Sequence, residues 1–177
     1  PTAPTVTLAP DPAATNQTLV ATASGSVDPE GTGTVTYAYE WFEDGIPSAE
    51  STSATFPASA TGKNHTYRVQ VKASDGSVES AFAYAEVNVI NSAPVLSGPS
   101  LSAATAIVGD VLTCTATATD IDPEDTPAVT YAWSDGTTGP SYTVTMADAV
   151  DSSITCTATA DDADGGVATG TASATVT

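Results

Sequence analysis

Two acidic segments in the second half of the chain have the residue types and spacing that metal binding requires. One is TDIDPEDTP, residues 119–127, and the other is ADDADGG, residues 160–166. Together they supply seven carboxylates: Asp120, Asp122, Glu124, Asp125, Asp161, Asp162 and Asp164. Calcium takes about six to eight oxygen ligands, which alternating Asp side chains and loop carbonyls can provide. Asp, Pro and Gly are also the residues of tight turns, so plain turn chemistry is the alternative interpretation.

Catalytic arrangements find little support in the sequence. His65 is the only imidazole, and no Cys or evident Ser–Asp pair stands near it along the chain. The acidic residues fall in turn-like segments, whereas glycoside hydrolysis needs two carboxylates in a cleft. The runs GTGT and DGG lack the strand–loop–helix context of a phosphate-binding loop. We therefore expect that the protein is not an enzyme.

The charge distribution disfavours polyanionic partners. The chain has 21 acidic residues against three basic ones, Lys63, Arg68 and Lys72, which gives a formal net charge of −18. Beyond Lys72 there is no Lys, Arg or His. Phosphate backbones and anionic membrane surfaces repel such a chain, so we expect no nucleic-acid partner. No apolar run approaches the length of a membrane span, so we expect no membrane insertion.

The composition favours strands over helices. Hydrophobic residues make up 41% of the chain and are mostly Ala and Val, while Thr and Ser are abundant. β-Branched side chains crowd a helix but suit a pleated sheet. The 12 Pro and 13 Gly cluster between apolar runs, as turn residues do. No segment repeats apolar residues at helical spacing over three turns, so we predict an all-β protein.

An internal repeat divides the chain in two. An Ala-Pro pair at residues 3–4 recurs at 93–94, and a DPE turn at residues 28–30 recurs at 122–124. Each DPE turn is followed by an alternating aromatic run that ends in Trp. A repeat of roughly 90 residues indicates two copies of one supersecondary unit. We predict two domains, residues 1–91 and residues 92–177.

Short alternating runs within each copy predict strands. Val69, Val71 and Ala73 alternate with polar residues, which indicates one buried and one solvated face. Many short strands separated by turn signals are typical of a β-sandwich with antiparallel hairpins and Greek-key crossings. The predicted architecture is two tandem Greek-key β-sandwiches.

The cysteines of the second copy carry a more specific signal. Cys114 lies on its second predicted strand, Trp133 on the third and Cys156 on the penultimate one. This is the Cys–Trp–Cys order of immunoglobulin-like sandwiches. The chain resembles tandem bacterial immunoglobulin-like repeats, including the PKD-like and cadherin-like modules of large surface proteins. The resemblance covers essentially the whole chain.

The first copy has residues at the corresponding positions but no cysteines. Val20, Trp41 and Val69 stand where Cys114, Trp133 and Cys156 stand in the second copy, and Tyr67 falls at the position of a tyrosine corner. The resemblance implies a core built around these residues in the first domain, with no disulfide.

The resemblance also implies a Cys114–Cys156 disulfide that ties the two sheets of the second domain together. Buried free thiols are the alternative interpretation. Disulfides persist in oxidising compartments. We therefore expect the protein to be secreted or displayed at the cell surface.

In an immunoglobulin-like sandwich, the loop after the second strand and the loop after the penultimate strand lie at the same end. The resemblance therefore brings the two acidic segments together, and cadherin-like repeats hold calcium with such loops. We predict calcium at the seven carboxylates as the candidate cofactor. The corresponding first-domain set is too thin for this cation: Ser26, Asp28, Glu30, Ser74 and Asp75.

The leading functional prediction is a stalk or fibre unit of an extracellular adhesion protein. Its partners are then neighbouring repeats of the same polypeptide or identical subunits. One alternative is a filament subunit that assembles by strand exchange. A second is an accessory carbohydrate-binding module of a secreted protein, which would contact surface glycans through first-domain aromatics: Tyr37, Tyr39, Trp41, Phe42, Tyr67, Phe82 and Tyr84.

Overall fold

The computed structural model describes residues 1–31 and 33–177, and it confirms the all-β prediction. The chain divides into two compact units, Pro1–Asn91 and Ser92–Thr177, and each is described by itself. Within the described ranges the only helical element is a single 3₁₀ turn at Ala58–Ala60. None of the helical structure in this part of the chain is long and apolar enough to cross a membrane.

The first domain is a sandwich of two sheets. Its strands, in the part that the structure describes, are β1 (Thr5–Ala9), β2 (Ala13–Ala14), β3 (Leu19–Ser24), β4 (Thr36–Glu43), β5 (Ile46–Ser48), β6 (Thr55–Phe56), β7 (Thr66–Ser74) and β8 (Ala83–Ile90). One sheet has the order β1-β3-β6 and the other β2-β8-β7-β4-β5. The chain crosses between the sheets after β1, β2, β3, β5 and β6, and the crossings after β3, β5 and β6 give the predicted Greek-key connections.

The second domain repeats this arrangement. Its strands are β9 (Val95–Leu101), β10 (Thr105–Ala106), β11 (Val111–Thr119), β12 (Ala128–Trp133), β13 (Ser141–Thr143), β14 (Ser153–Asp161) and β15 (Val167–Val176). The sheets are β9-β11-β13 and β10-β15-β14-β12. The order matches that of the first domain strand for strand, except that β12 is not followed by a counterpart of β5. Both domains are therefore immunoglobulin-like β-sandwiches.

Alternation along the central strands explains why these sheets form. On β7, Tyr67, Val69, Val71 and Ala73 are fully buried, while the residues between them are partly exposed. β14 has the same pattern, with Thr or Ser between its buried residues. Each sheet therefore presents one apolar face to the opposing sheet and one polar face to water. Burial of the two apolar faces supplies the main driving force for each sandwich.

The position of the second cysteine, Cys156, corresponds to that of Val69, as predicted. Trp41 on β4 pairs with Val69 on β7, and Trp133 on β12 pairs with Cys156 on β14. Val69 and Cys156 therefore occupy equivalent positions beside the buried Trp of their domains. Both indoles donate to a backbone carbonyl further along the chain at 2.9 Å, Trp41 to Ser53 and Trp133 to Gly139.

The first-domain position that corresponds to Cys114 differs from the prediction by one residue. Val20 is 42% exposed, so its assignment to the core is wrong. Leu19 pairs with Phe56 as Leu112 pairs with Tyr142. Two residues further on, Cys114 therefore corresponds to Ala21, which is buried. A shift of one residue along a strand exchanges the core face for the solvent face.

Tyr67 closes the first domain as a tyrosine corner would. Its hydroxyl accepts from the Gly62 N–H at 3.1 Å and donates to the Ala60 carbonyl at 3.0 Å. Burial is the main cause that raises the pKa of Tyr67 to about 12. The phenol is therefore neutral at physiological pH, with its donor and acceptor both satisfied.

Candidate metal centre

The two acidic segments become loops of the second domain. Residues 120–127 connect β11 to β12, and residues 162–166 connect β14 to β15. Within them, carboxylate oxygens of Asp120, Asp125 and Asp162 all lie within 4.8 Å of one another. Asp162 is only 6% exposed, and the other two are partly buried. Three negative charges at this separation repel one another unless a cation or a proton neutralises them.

Backbone donors hold two of these carboxylates in place. Asp162 Oδ1 accepts from the N–H groups of Asp164 and Gly166, at 2.7 and 2.9 Å. Asp120 Oδ1 accepts from the Asp122 N–H at 2.9 Å. Gly166 is required here, because a Cβ at this position would lie 2.0 Å from Asp162 Oδ2. The second Gly of the ADDADGG segment thus allows the loop to close against its own carboxylate.

Two buried carboxylate oxygens in the same loop lack a hydrogen-bond donor within the described residues. They are Oδ2 of Asp120 and Oδ1 of Asp122. Asp122 is fully buried, and its other oxygen accepts from the Ser92 N–H at 2.8 Å. A buried acceptor without a donor costs about 1–3 kcal/mol, and more when it is charged. The donor set consists of oxygens alone, which suits calcium or magnesium better than zinc.

The structure separates the seven predicted carboxylates into three groups. Asp120, Asp125 and Asp162 come together, and Asp122 is buried in the same loop. The other three are exposed and outside the group of three: Glu124, Asp161 and Asp164. Asp161 accepts from the Ala163 N–H at 2.8 Å, as a turn residue does.

The two Asp residues at the corresponding positions of the first domain act as turn residues. Asp28 accepts from the N–H groups of Glu30 and Gly33. Asp75 Oδ1 accepts from the N–H groups of Ser77 and Val78, each at 2.8 Å, and these bonds lower the pKa of Asp75. Turn geometry is thus sufficient to account for both carboxylates.

His65 has a partner that the sequence did not indicate. Its Nδ1 lies 2.7 Å from Asp44 Oδ2 and 3.4 Å from Glu43 Oε1. Asp44 stands in the turn after β4, 21 residues earlier, so only the pairing of β4 with β7 brings the two together. The Thr66 N–H and then His65 lower the pKa of Asp44. All three side chains are partly exposed, as in a surface ion pair.

The predicted disulfide is present. Cys114 on β11 is bonded to Cys156 on β14, with a Cα–Cα distance of 6.4 Å. Because β11 and β14 belong to different sheets, the bond joins the two layers through the core of the second domain. The first domain has no cysteine; Ala21 and Val69 occupy the two positions, beside a buried aromatic cluster of Trp41, Phe56 and Tyr67.

Comparison with solved structures finds chains with a similar fold. No protein-family model and no curated protein matches it. The fibronectin(III)-like modules of CbhA from Clostridium thermocellum are 22% identical, with 97% of this chain and 94% of that chain covered and a TM-score of 0.35. Immunoglobulin domains 1–4 of Sidekick-1 are 14% identical, with 97% and 48% covered and a TM-score of 0.41.

The three N-terminal domains of the bacteriophage RB49 highly immunogenic outer capsid protein are also similar. They are 20% identical, with 98% of this chain and 57% of that chain covered and a TM-score of 0.33. The chain spans about half the length of this fragment and of the Sidekick-1 fragment. At these identities the similarity concerns the fold alone. Strand order and cores define the fold: two immunoglobulin-like β-sandwich domains.

Proposed function

We propose that this chain is an extracellular structural module that acts as a stalk or fibre unit of a larger surface protein. The observation that carries the proposal is that each unit is a complete sandwich with its own core, and that a disulfide joins the two sheets of the second. Such a module holds its ends apart under load. A persistent disulfide fits an oxidising exterior, and the net charge of −18 favours solubility over self-association.

A stalk unit acts within one polypeptide, so the isolated pair of domains should remain monomeric. Sedimentation velocity over a hundredfold range of concentration is expected to give one species of about 17.6 kDa. The filament alternative instead requires terminal strands to pair between chains. Species whose size grows with concentration, together with fibres in electron micrographs, would favour the filament and count against the stalk.

We further propose that the second domain binds calcium through Asp120, Asp125 and Asp162. Support comes from the proximity of their oxygens and from the two buried carboxylate oxygens without a donor. Bound calcium would offset two of the three negative charges and fix the two loops relative to each other. The first domain should bind none at the corresponding loops, because Asp28 and Asp75 accept hydrogen bonds within their own turns.

Calcium is expected to stabilise the second domain alone. At a free concentration 100 times the Kd, binding adds about 2.7 kcal/mol to the free energy of unfolding, which raises the Tm of a domain of this size by roughly 10 °C or more. Melts in calcium and in chelator, followed by fluorescence, can assign the shift because Trp41 and Trp133 report on separate domains. Equal Tm values in the two buffers would contradict the proposal.

A matched pair of variants locates the site. Asp162→Asn keeps an oxygen that can accept from the N–H groups of Asp164 and Gly166 but removes the charge, so the calcium shift should be lost. Glu124→Gln removes an exposed charge outside the group of three, so the shift should persist. A shift that survives Asp162→Asn would place the cation elsewhere.

A further inference from the structure

The polar face of the five-stranded sheet in the first domain differs from the other outward faces of the chain. It carries Phe42 on β4, Arg68, Gln70 and Lys72 on β7, Tyr84 on β8, and Phe82 just before β8; we call this set the aromatic face. Tyr84 is 64% exposed and Phe82 is 51% exposed. The corresponding face of the second domain is lined instead by Thr and Ser along β14 and β15. The aromatic face therefore exposes two neighbouring rings, each of which offers an apolar surface to a ligand.

The rings of the aromatic face are held in place by cations. The Arg68 guanidinium carbon lies 4.8 Å from the centre of the Phe42 ring and 5.9 Å from the centre of the Tyr84 ring. Lys72 Nζ lies 5.6 Å from the centre of the Phe82 ring. Each contact restrains an aromatic side chain before any partner arrives. A binding partner therefore has less side-chain conformational entropy to remove.

Polar side chains that can each make two hydrogen bonds lie beside the rings in the register of the sheet. In the register of the sheet, Gln70 stands between Glu40 on one side and Tyr84 on the other. Arg68 likewise stands between Phe42 and Glu86. An amide offers both donors and acceptors, and a carboxylate accepts at two oxygens. Neighbouring hydroxyl groups of a sugar ring present the complementary donors and acceptors, while its C–H face packs on an aromatic ring.

We propose that the aromatic face binds a neutral polysaccharide. Charge supports a neutral partner: Lys72 is paired with Glu79, Arg68 stands opposite Glu86, and the first domain has ten acidic residues against three basic ones. An acidic polysaccharide would be repelled by this domain. Uncharged sugar hydroxyls incur no such repulsion and need no counter-charge.

The size of the face also favours a small rigid ligand over a protein. The face spans three strands about 4.8 Å apart and about four residue steps of 3.4 Å, which gives a backbone footprint of roughly 130 Å². Even with its side chains it covers far less than the approximately 800 Å² per partner of a stable protein interface. A few sugar rings fit an area of this size.

Affinity electrophoresis tests the proposal with the intact chain. Native gels that contain xyloglucan, galactomannan or mixed-linkage β-glucan are expected to retard the protein in at least one case. Tyr84→Ala should weaken that binding at least tenfold, and Tyr84→Phe, which keeps the ring, should retain most of it. Ile46→Ala removes another exposed apolar side chain, 70% exposed on β5 and outside the aromatic face, and should bind as the parent does.

Several outcomes would overturn the proposal. They are an absence of retardation by all three polysaccharides, equal losses in Tyr84→Ala and Ile46→Ala, and stronger retardation by alginate or heparin than by the neutral polymers. Thermal melting of each variant shows whether it is folded, and a loss of binding counts only when the Tm is retained. The inference is independent of the stalk role, since a monomeric spacer can bind glycans or fail to do so.

Discussion

Removal of the Cys114–Cys156 disulfide is expected to lower the free energy of unfolding of the second domain by about 4 kcal/mol. The bond closes a loop of 42 residues, and a loop of that length restricts the unfolded chain by about this amount on the chain-entropy account. The bond also joins the two sheets, so its loss frees the layers to separate. Denaturant unfolding of a Cys114→Ala, Cys156→Ala double variant, monitored by Trp133 fluorescence, measures the change.

The first domain serves as the internal control for this experiment. It contains no cysteine, and Ala21 and Val69 stand where the two cysteines stand in the second domain. The transition reported by Trp41 should therefore have the same midpoint in parent and variant. A second domain whose midpoint also stays unchanged would show that the disulfide contributes nothing to its stability.

Replacement of Trp41 by Ala is expected to cost the first domain about 3–5 kcal/mol, which is most of the stability of a domain this small. Trp41 is fully buried, its ring centre lies 5.2 Å from that of Phe56, and its indole donates to the Ser53 carbonyl. The truncation removes the largest side chain of the core and leaves a cavity. Circular dichroism against denaturant measures the loss without requiring a Trp signal.

Tyr84→Ala is the matched control for the truncation. Tyr84 belongs to the same sheet but is 64% exposed, so its removal should cost less than about 1 kcal/mol, chiefly through the lost contact with Arg68. Comparable losses in the two variants would contradict the assignment of Trp41 to the core.

The sequence predicts the fold well because the same signals repeat along the chain. Alternation on β7, the Trp of β4 and β12, and the turns between them all indicate short antiparallel strands, and the structure has antiparallel strands there. β5 is missed because it has only three residues and contains Pro47. β2 and β10 are missed because a strand of two residues is too short to show an alternating pattern. Their parallel pairing also depends on strands far along the chain.

The candidate metal centre is only partly predictable, because side-chain direction depends on the folded loops. The order of the strands is enough to place both acidic segments at one end of a sandwich. Burial of Asp122 and exposure of Glu124, two residues apart, follow from the path of the β11–β12 loop, which no spacing rule gives. The approach of Asp162 to Gly166 is likewise a property of the closed loop.

The wrong assignment of Val20 to the core arises from strand register and not from the path of a loop. The strand was located correctly, but its register was offset by one position, and in a strand that small offset reverses inside and outside. The aromatic face was missed as a unit for a related reason. Phe42, Arg68 and Tyr84 lie on three strands, and only the register of β4 against β7 and of β7 against β8 brings them together.

The mechanical role is tested most directly by stretching single molecules of the pair between two handles. We expect two separate unfolding steps at measurable force, and the shorter one should come from the second domain, because the disulfide keeps 42 residues from extending. Reduction should lengthen that step alone, by about 140–150 Å. The mechanical role would be contradicted if the chain extended without resolved steps, or if reduction left the length of both steps unchanged.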